Sequence, residues 1–305
     1  MFIRQLDYLV TLARERHFAR AAEACCVSQP ALSAAIRHLE EELGVSIVER
    51  GHKFVGFTED GERILGWARQ TLAAWDGLKQ EASRSRGRLT GALRIGAIPT
   101  TMPILSLLTG PYWRAFPDIS QKIQSLSNEE IIRRIDDFEL DVGVTYLEDQ
   151  NLQRFRVMPL YRERYVVLAR NAAALGDRAS MTWREAAELP LCLLTRNMQN
   201  RRIIDAAFRR ADAHPRVVAE TDSVFALYSN VRCAEMCSII PHSLLALFEL
   251  REELIAIPLT PELNRAIGLI ALDNDPASPI VSAIWTITKQ MDLDARFDFL
   301  DGAGP

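Results

Sequence analysis

The chain has 305 residues, of which 48% are hydrophobic and 25% charged, with a formal net charge of −4. These values lie near soluble-globular averages, exclude a disordered or membrane-embedded chain, and at this length favour a small module joined to a larger, two-lobed body. Net acidity also requires that any contact with nucleic acid come from a local basic patch.

The longest apolar stretches, such as residues 243–250, fall far short of the roughly 20 residues that a membrane span needs, so no membrane partner is expected. The start, Met1-Phe2-Ile3-Arg4-Gln5-Leu6-Asp7, has no cationic segment followed by an apolar core, so no secretion signal is read and a cytoplasmic location is expected. Five cysteines (Cys25, Cys26, Cys192, Cys233, Cys237) are odd in number and lack paired zinc spacing, which predicts reduced thiols and no metal.

In chain order, Leu6, Leu9, Val10 and Ala13 recur at helical spacing, and residues 18–24 form a second, alanine-rich helix. A turn at Cys25-Cys26-Val27 leads to Ser28, a good N-cap, with Pro30 close behind where its missing N–H does no harm. In the third helix Leu32, Ile36, Leu39 and Leu43 share one face, Gln29, Ser33 and Arg37 lie opposite, and Gly44 stops the helix. Residues 45–50 and 55–57 read as short strands around Gly51-His52-Lys53, a basic hairpin tip. Thr58 caps a long helix in which Ile64, Ala68, Thr71, Trp75, Leu78 and Ala82 step by four and three, the spacing of a two-helix seam. The alternative is an amphipathic helix lying on its own domain. Gly66 and Gly77 weaken its regularity, and residues 83–91 shift in composition to a hinge.

Beyond the hinge, strand-like runs recur at 93–98, 119–123, 141–145, 165–169, 191–195, 216–220, 238–241 and 267–272. Helical segments at 104–116, 129–138, 200–211 and 224–233 separate most of them, which predicts an α/β body with mainly parallel sheets. Thr182 to Glu185 forms a capping box. No GxSxG elbow, P-loop, GxGxxG after a strand or HExxH is present, and five scattered histidines make no metal site, so no enzyme and no cofactor are expected.

Phe18-Ala19-Arg20-Ala21-Ala22-Glu23, Val27-Ser28-Gln29-Pro30-Ala31-Leu32-Ser33, Ile36-Arg37-His38-Leu39-Glu40 and Leu43-Gly44 closely resemble the winged helix-turn-helix of LysR-type transcription regulators. The resemblance continues through Glu49-Arg50, Phe57-Thr58-Glu59-Asp60-Gly61 and Leu93-Arg94-Ile95-Gly96, spanning almost the whole chain. Two departures stand out: the family commonly has Leu where Cys25 stands, and often a longer basic residue in place of Ala34 or Ala35.

The resemblance implies an α/β protein with an all-α-rich N-terminal module. A winged helix-turn-helix (1–58) and a linker helix with hinge (59–91) would precede a two-lobed, periplasmic-binding-protein-like effector domain (92–305). Lobe I would comprise about 92–163 and 267–305, and lobe II about 164–266. It further implies double-stranded DNA as partner, a homodimer through the linker helices, commonly a homotetramer, contact with RNA polymerase, and a small-molecule effector between the lobes.

A reading helix needs an apolar back and a polar front that reaches base edges. Ser28, Gln29, Pro30, Ser33 and Arg37 supply that front, with Gln29 suited to adenine, Arg37 to guanine or phosphate, and Pro30 to a thymine methyl. Arg50, His52 and Lys53 on the hairpin would address phosphates. For the effector, Pro99, Thr100 and Thr101 end a strand and open a helix, a place that offers free N–H groups and hydroxyls. Thr100 matches the family's frequent Ser or Thr effector residue, although either threonine would also serve as a helix cap. Thr195, Arg196, Asn200 and Arg202 follow another strand, and Thr145 and Thr221 sit at further strand ends. An arginine here would clamp a carboxylate, so a small polar or anionic effector is expected. An oxidation signal through Cys233 and Cys237, four apart and able to share a helical face, is the remaining alternative.

Overall fold

The computed structural model describes residues 2–50, 54–148, 150–170, 175, 178–246 and 254–297. It forms two compact units, Met1–Leu89 and Thr90–Pro305. Among the described residues no helix is long and apolar enough to cross a membrane.

In the first unit α1 (Ile3–Glu15), α2 (Phe18–Ala24) and α3 (Gln29–Leu43) wrap one core. Leu6, Leu9, Leu12, Ala21, Ala22, Leu32, Ile36 and Leu39 are buried in it. The apolar stripes therefore point where their spacing predicted, except that Leu43 is 42% exposed at the helix end. Gly44 takes the left-handed conformation (φ 67°) that releases the chain from α3.

The hairpin is shorter than expected, with β1 (Val48–Arg50) antiparallel to β2 (Phe54–Phe57). Residues 45–47 lie before it because the Glu40 carboxylate accepts the N–H groups of Ile47 (2.8 Å) and Val48 (3.0 Å). A residue that reads as one member of an acidic run thus ties α3 to the hairpin. Thr58 accepts from the Gly61 N–H (2.9 Å) and donates to the Ser46 carbonyl (2.6 Å), capping α4 (Glu59–Arg84) while anchoring its approach. A Cβ at position 61 would overlap the Ile47 carbonyl oxygen, so this close approach requires glycine.

The two readings of α4 divide the helix between them. Leu65 and Ala68 are buried in the unit's core, with Ile64 and Leu72 packed against it. Farther along, Trp75 is 42% and Leu78 59% exposed. Half of the expected seam is spent on the helix's own domain, and the other half is free.

The second unit contains β3 (Gly91–Ala97), a 3₁₀ turn (Met102–Leu105), α5 (Ser106–Ala115), β4 (Ile119–Ser125), α6 (Asn128–Asp136) and β5 (Val142–Tyr146). There follow β6 (Phe155–Ala169), β7 (Met181–Thr182), α7 (Trp183–Ala187), β8 (Leu191–Leu194), α8 (Gln199–Arg210) and β9 (Val217–Thr221). The last elements are α9 (Val224–Cys233), β10 (Ser238–Pro241), a 3₁₀ turn (His242–Ala246), β11 (Ile255–Thr260), β12 (Asn264–Leu272), α10 (Pro279–Thr288) and α11 (Asp294–Phe297).

β3 is parallel to β4 and β5, whereas β12 runs antiparallel to β5 and to β6 over residues 155–164. The end of β6 pairs antiparallel with β10 and β11, and β8 with β9 forms a separate parallel pair. One long strand thus passes from one α/β lobe into the other, giving a two-lobed body whose sheets are mixed and not mainly parallel. The sequence reading began this strand at 165 because charges at Arg156, Arg162, Glu163 and Arg164 obscure its first ten residues. It also missed β11 and α10. The helix expected over 104–116 is broken by a 3₁₀ turn carrying Pro103 in its first positions.

Candidate functional site

On α3 the Ser28 side chain accepts from the Ala31 N–H (3.3 Å), which fixes the helix start. Ser28, Gln29, Pro30 and Arg37 are exposed and Ser33 is half-buried, while Leu32, Ile36 and Leu39 lie in the core. Because Gln29, Ser33 and Arg37 are four apart, they form one outward row, and Arg37 donates to Ser33 Oγ (3.4 Å) along it. Arg50 ends β1; its side chain, together with His52 and Lys53, lies outside the described residues.

In the second unit several strand ends meet. Thr100, after β3, is 2% exposed, with its hydroxyl buried. Tyr146 on β5 faces it, and the Tyr146 and Tyr165 hydroxyls lie 3.4 Å apart. Asn200, in the first turn of α8, donates Nδ2–H to the Tyr165 hydroxyl (3.3 Å), bringing both lobes to one buried polar cluster. Thr195 Oγ1, just before α8, is buried and has no hydrogen-bond partner. Met198 at the start of α8 supplies no side-chain cap, leaving first-turn N–H groups to serve an acceptor.

The other expected residues are occupied. Pro99 is half-buried, and the Thr101 hydroxyl donates to the Ile98 carbonyl (3.0 Å) within its own turn. Thr145 donates to Asn128 Oδ1, and Thr221 Oγ1 accepts from the Ser223 N–H (3.1 Å). Arg196 is exposed and pairs with Glu220 (3.8 Å). Arg202 binds Glu129 on α6 (2.6 Å), so it bridges the two lobes instead of standing free as a clamp. Cys233 and Cys237 share no helical face, since α9 ends at Cys233. Cys233 is exposed, whereas Cys192 and Cys237 are buried and burial pushes their thiol pKa values up.

Sequence reasoning missed Tyr146, Tyr161, Glu163, Tyr165, Arg201 and Ser243. Tyr161, Glu163 and Tyr165 alternate along β6 and so share one face, a period-2 signal hidden by the intervening arginines. Arg201 is 1% exposed, held by Asp205 (2.8 Å), Glu220 (2.7 Å) and the Leu194 carbonyl (2.8 Å). Glu163 is fully buried, and burial pushes its pKa up to about 8, so it holds a proton at neutral pH.

The unfolded chain releases that proton above the ordinary value of 4.5, whereas the folded one keeps it to about 8. Stability attached to neutral Glu163 is fully present below 4.5 and is lost as pH rises toward about 8, at up to about 1.4 kcal/mol per pH unit. Glu163→Gln is expected to flatten this slope in denaturant titrations between pH 5 and 8 (roughly that window). A slope equal to the wild type's would show that Glu163 does not titrate there.

Two family models match the chain: "Bacterial regulatory helix-turn-helix protein, lysR family" over residues 3–62 and "LysR substrate binding domain" over 86–292. A hydrogen peroxide-inducible genes activator of Dickeya chrysanthemi is 38% identical over 164 residues, 53% of this chain and about half (53%) of that protein's length. The transcriptional dual regulator OxyR of Escherichia coli K12 is 29% identical over 302 residues, 98% of each chain. A full-length OxyR variant from Pseudomonas aeruginosa has a solved structure with a TM-score of 0.75 at 27% identity, covering 96% of this chain and 98% of that one. With an outward polar row on a capped α3 in one unit and a two-lobed α/β body as the other, this chain belongs to the LysR family of DNA-binding transcription regulators.

Proposed function

We propose that α3 reads operator DNA in the major groove through Gln29, Ser33 and Arg37. The start of the helix at Ser28 and Pro30 meets the backbone and base edges, and Arg50, His52 and Lys53 address phosphates. The observation that carries this is the split of α3 into a fully buried Leu32–Ile36–Leu39 face and an exposed polar row. Two chains pair through the outer half of α4, where Trp75 and Leu78 stand exposed, and dimers assemble into tetramers that engage RNA polymerase in the cytoplasm. The functional division runs 1–58, 59–91 and 92–305, with the lobes of the last part joined where β6 passes between them.

The signal is a small polar molecule held at the meeting of the strand ends. The buried, unpartnered hydroxyl of Thr195 supports this, because such a group is costly unless a ligand or water satisfies it, and the buried Thr100 hydroxyl lies beside Tyr146 at the same strand ends. Thr145, Asn200 and the α8 start complete the surroundings. Arg196 and Arg202 contribute through their ion pairs to lobe position. A ligand that prefers one arrangement of the lobes shifts the paired reading heads and alters DNA bend or spacing. Ligand binding is favoured over thiol oxidation, although relatives are named for peroxide induction, because exposed Cys233 shares no helical face with Cys237, whose burial makes it a poor nucleophile.

A thermal-shift screen of small metabolites followed by footprinting with and without the hit tests this reading. Thr100→Val is expected to abolish ligand-induced stabilisation while sparing DNA binding. Full stabilisation in that variant would remove Thr100 from the site.

A further inference from the structure

Where β6 passes between the lobes it changes partners. Up to Arg164 it pairs with β12, and from Tyr165 onward β10 covers its opposite edge, starting with Pro241 against Tyr165. Among the described residues no strand covers that opposite edge at residues 162–164, so the N–H groups there need other acceptors. Two side chains supply them. His242, the residue after β10, accepts from the Arg164 N–H through Nδ1 (3.1 Å), and the Asp294 carboxylate of α11 accepts from the Arg162 N–H (2.9 Å).

The short helix α11 comes to this crossing from lobe I, where α10 packs against α5 and β3. The Asp292 carboxylate accepts from the Ala295 N–H (3.0 Å) and fixes its first turn. Phe297 is buried, with its ring 4.9 Å from that of Tyr161 on β6 and 5.8 Å, edge to face, from the His242 ring of lobe II. One turn of helix therefore holds a backbone N–H of the crossing strand, a ring on that strand and a ring of the second lobe. Each contact is the size of a single hydrogen bond or ring pair, so all can release without breaking a strand ladder.

We propose that α11 is a clasp on the crossing strand. Asp294 and Phe297 hold the lobes in the arrangement seen here, and their release lets the lobes turn about residues 162–164 while each stays folded. This rests on the reading that lobe position sets the paired reading heads, and it adds the element that fixes that position. A ligand that favours a turned arrangement must outweigh the clasp, so loosening the clasp moves the ligand-free protein toward that arrangement.

Hydrogen exchange of the full-length protein without ligand, read amide by amide, tests the clasp together with a footprint on operator DNA. Asp294→Ala and Phe297→Ala are each expected to speed exchange at Arg162 about tenfold. Exchange at Leu93 and Ile95 on β3 and at Leu193 on β8 should stay as in the wild type, while the spacing of the protected half-sites changes. Asp294→Asn keeps an acceptor oxygen and should retain wild-type exchange at Arg162. Asp294 is exposed, so Asp294→Ala keeps the test open if Phe297→Ala does not fold. Unchanged exchange at Arg162, equal acceleration on β3 and β8, or an unaltered footprint in a variant whose Arg162 exchanges fast would overturn the clasp. Such a result would leave the effector reading standing, because ligand-induced stabilisation is measured separately.

Discussion

Arg201→Ala is expected to cost the effector unit about 3 kcal/mol of stability. The guanidinium is 1% exposed and satisfies three acceptors at once, the carboxylates of Asp205 and Glu220 and the carbonyl of Leu194. Removing it leaves the carbonyl unpaired and two acids facing each other across the start of α8. Asp205 and Glu220 are 25% and 40% exposed, so water recovers part of their solvation and keeps the loss at the lower end for a broken buried pair. The same change also loosens the segment that presents Asn200 to Tyr165. Denaturant unfolding of the full chain, followed by a probe in the second unit, measures this. A loss under about 0.5 kcal/mol, the scale of a neutral surface change, would mean that the triad is not what orders α8.

A double change of Trp75→Asp and Leu78→Asp is expected to split the dimer without unfolding the first unit. Both side chains are large, apolar and exposed, one helical turn apart, beyond the point where α4 leaves its own core. Two carboxylates on the seam of each chain would repel their counterparts, while Leu65 and Ala68 remain packed. Because a dimer engages two half-sites at once, losing the pairing should lower operator affinity by about 100-fold or more. Sedimentation shows the species and a DNA titration the consequence. A dimer that persists with unchanged affinity would move the interface elsewhere.

The first unit was largely legible because its signals are local. The Ser28 cap, the Leu32–Ile36–Leu39 spacing and the Gly44 stop each act within a turn or two of helix. The hairpin's late start was not legible, since it depends on Glu40 reaching back to Ile47 and Val48. In the second unit Thr100, Thr195 and Asn200 could be nominated from strand ends alone. Their partners could not, because Tyr146, Tyr165 and Glu163 meet only once β5 and β6 lie in one mixed sheet. The arginines misled for a related reason. Charge is visible in sequence, but whether Glu129 or Glu220 has already neutralised it is a matter of tertiary contact.

The central claim is that the outward row of α3 reads DNA, and Arg37→Ala tests it most directly. Binding to the DNA upstream of the protein's own gene and its neighbours should be titrated at fixed salt beside a scrambled duplex. The account predicts a loss of about 1–3 kcal/mol on the specific site if Arg37 contacts a base, with little change on the scrambled one. Equal affinity of wild type and variant for the specific duplex would contradict it.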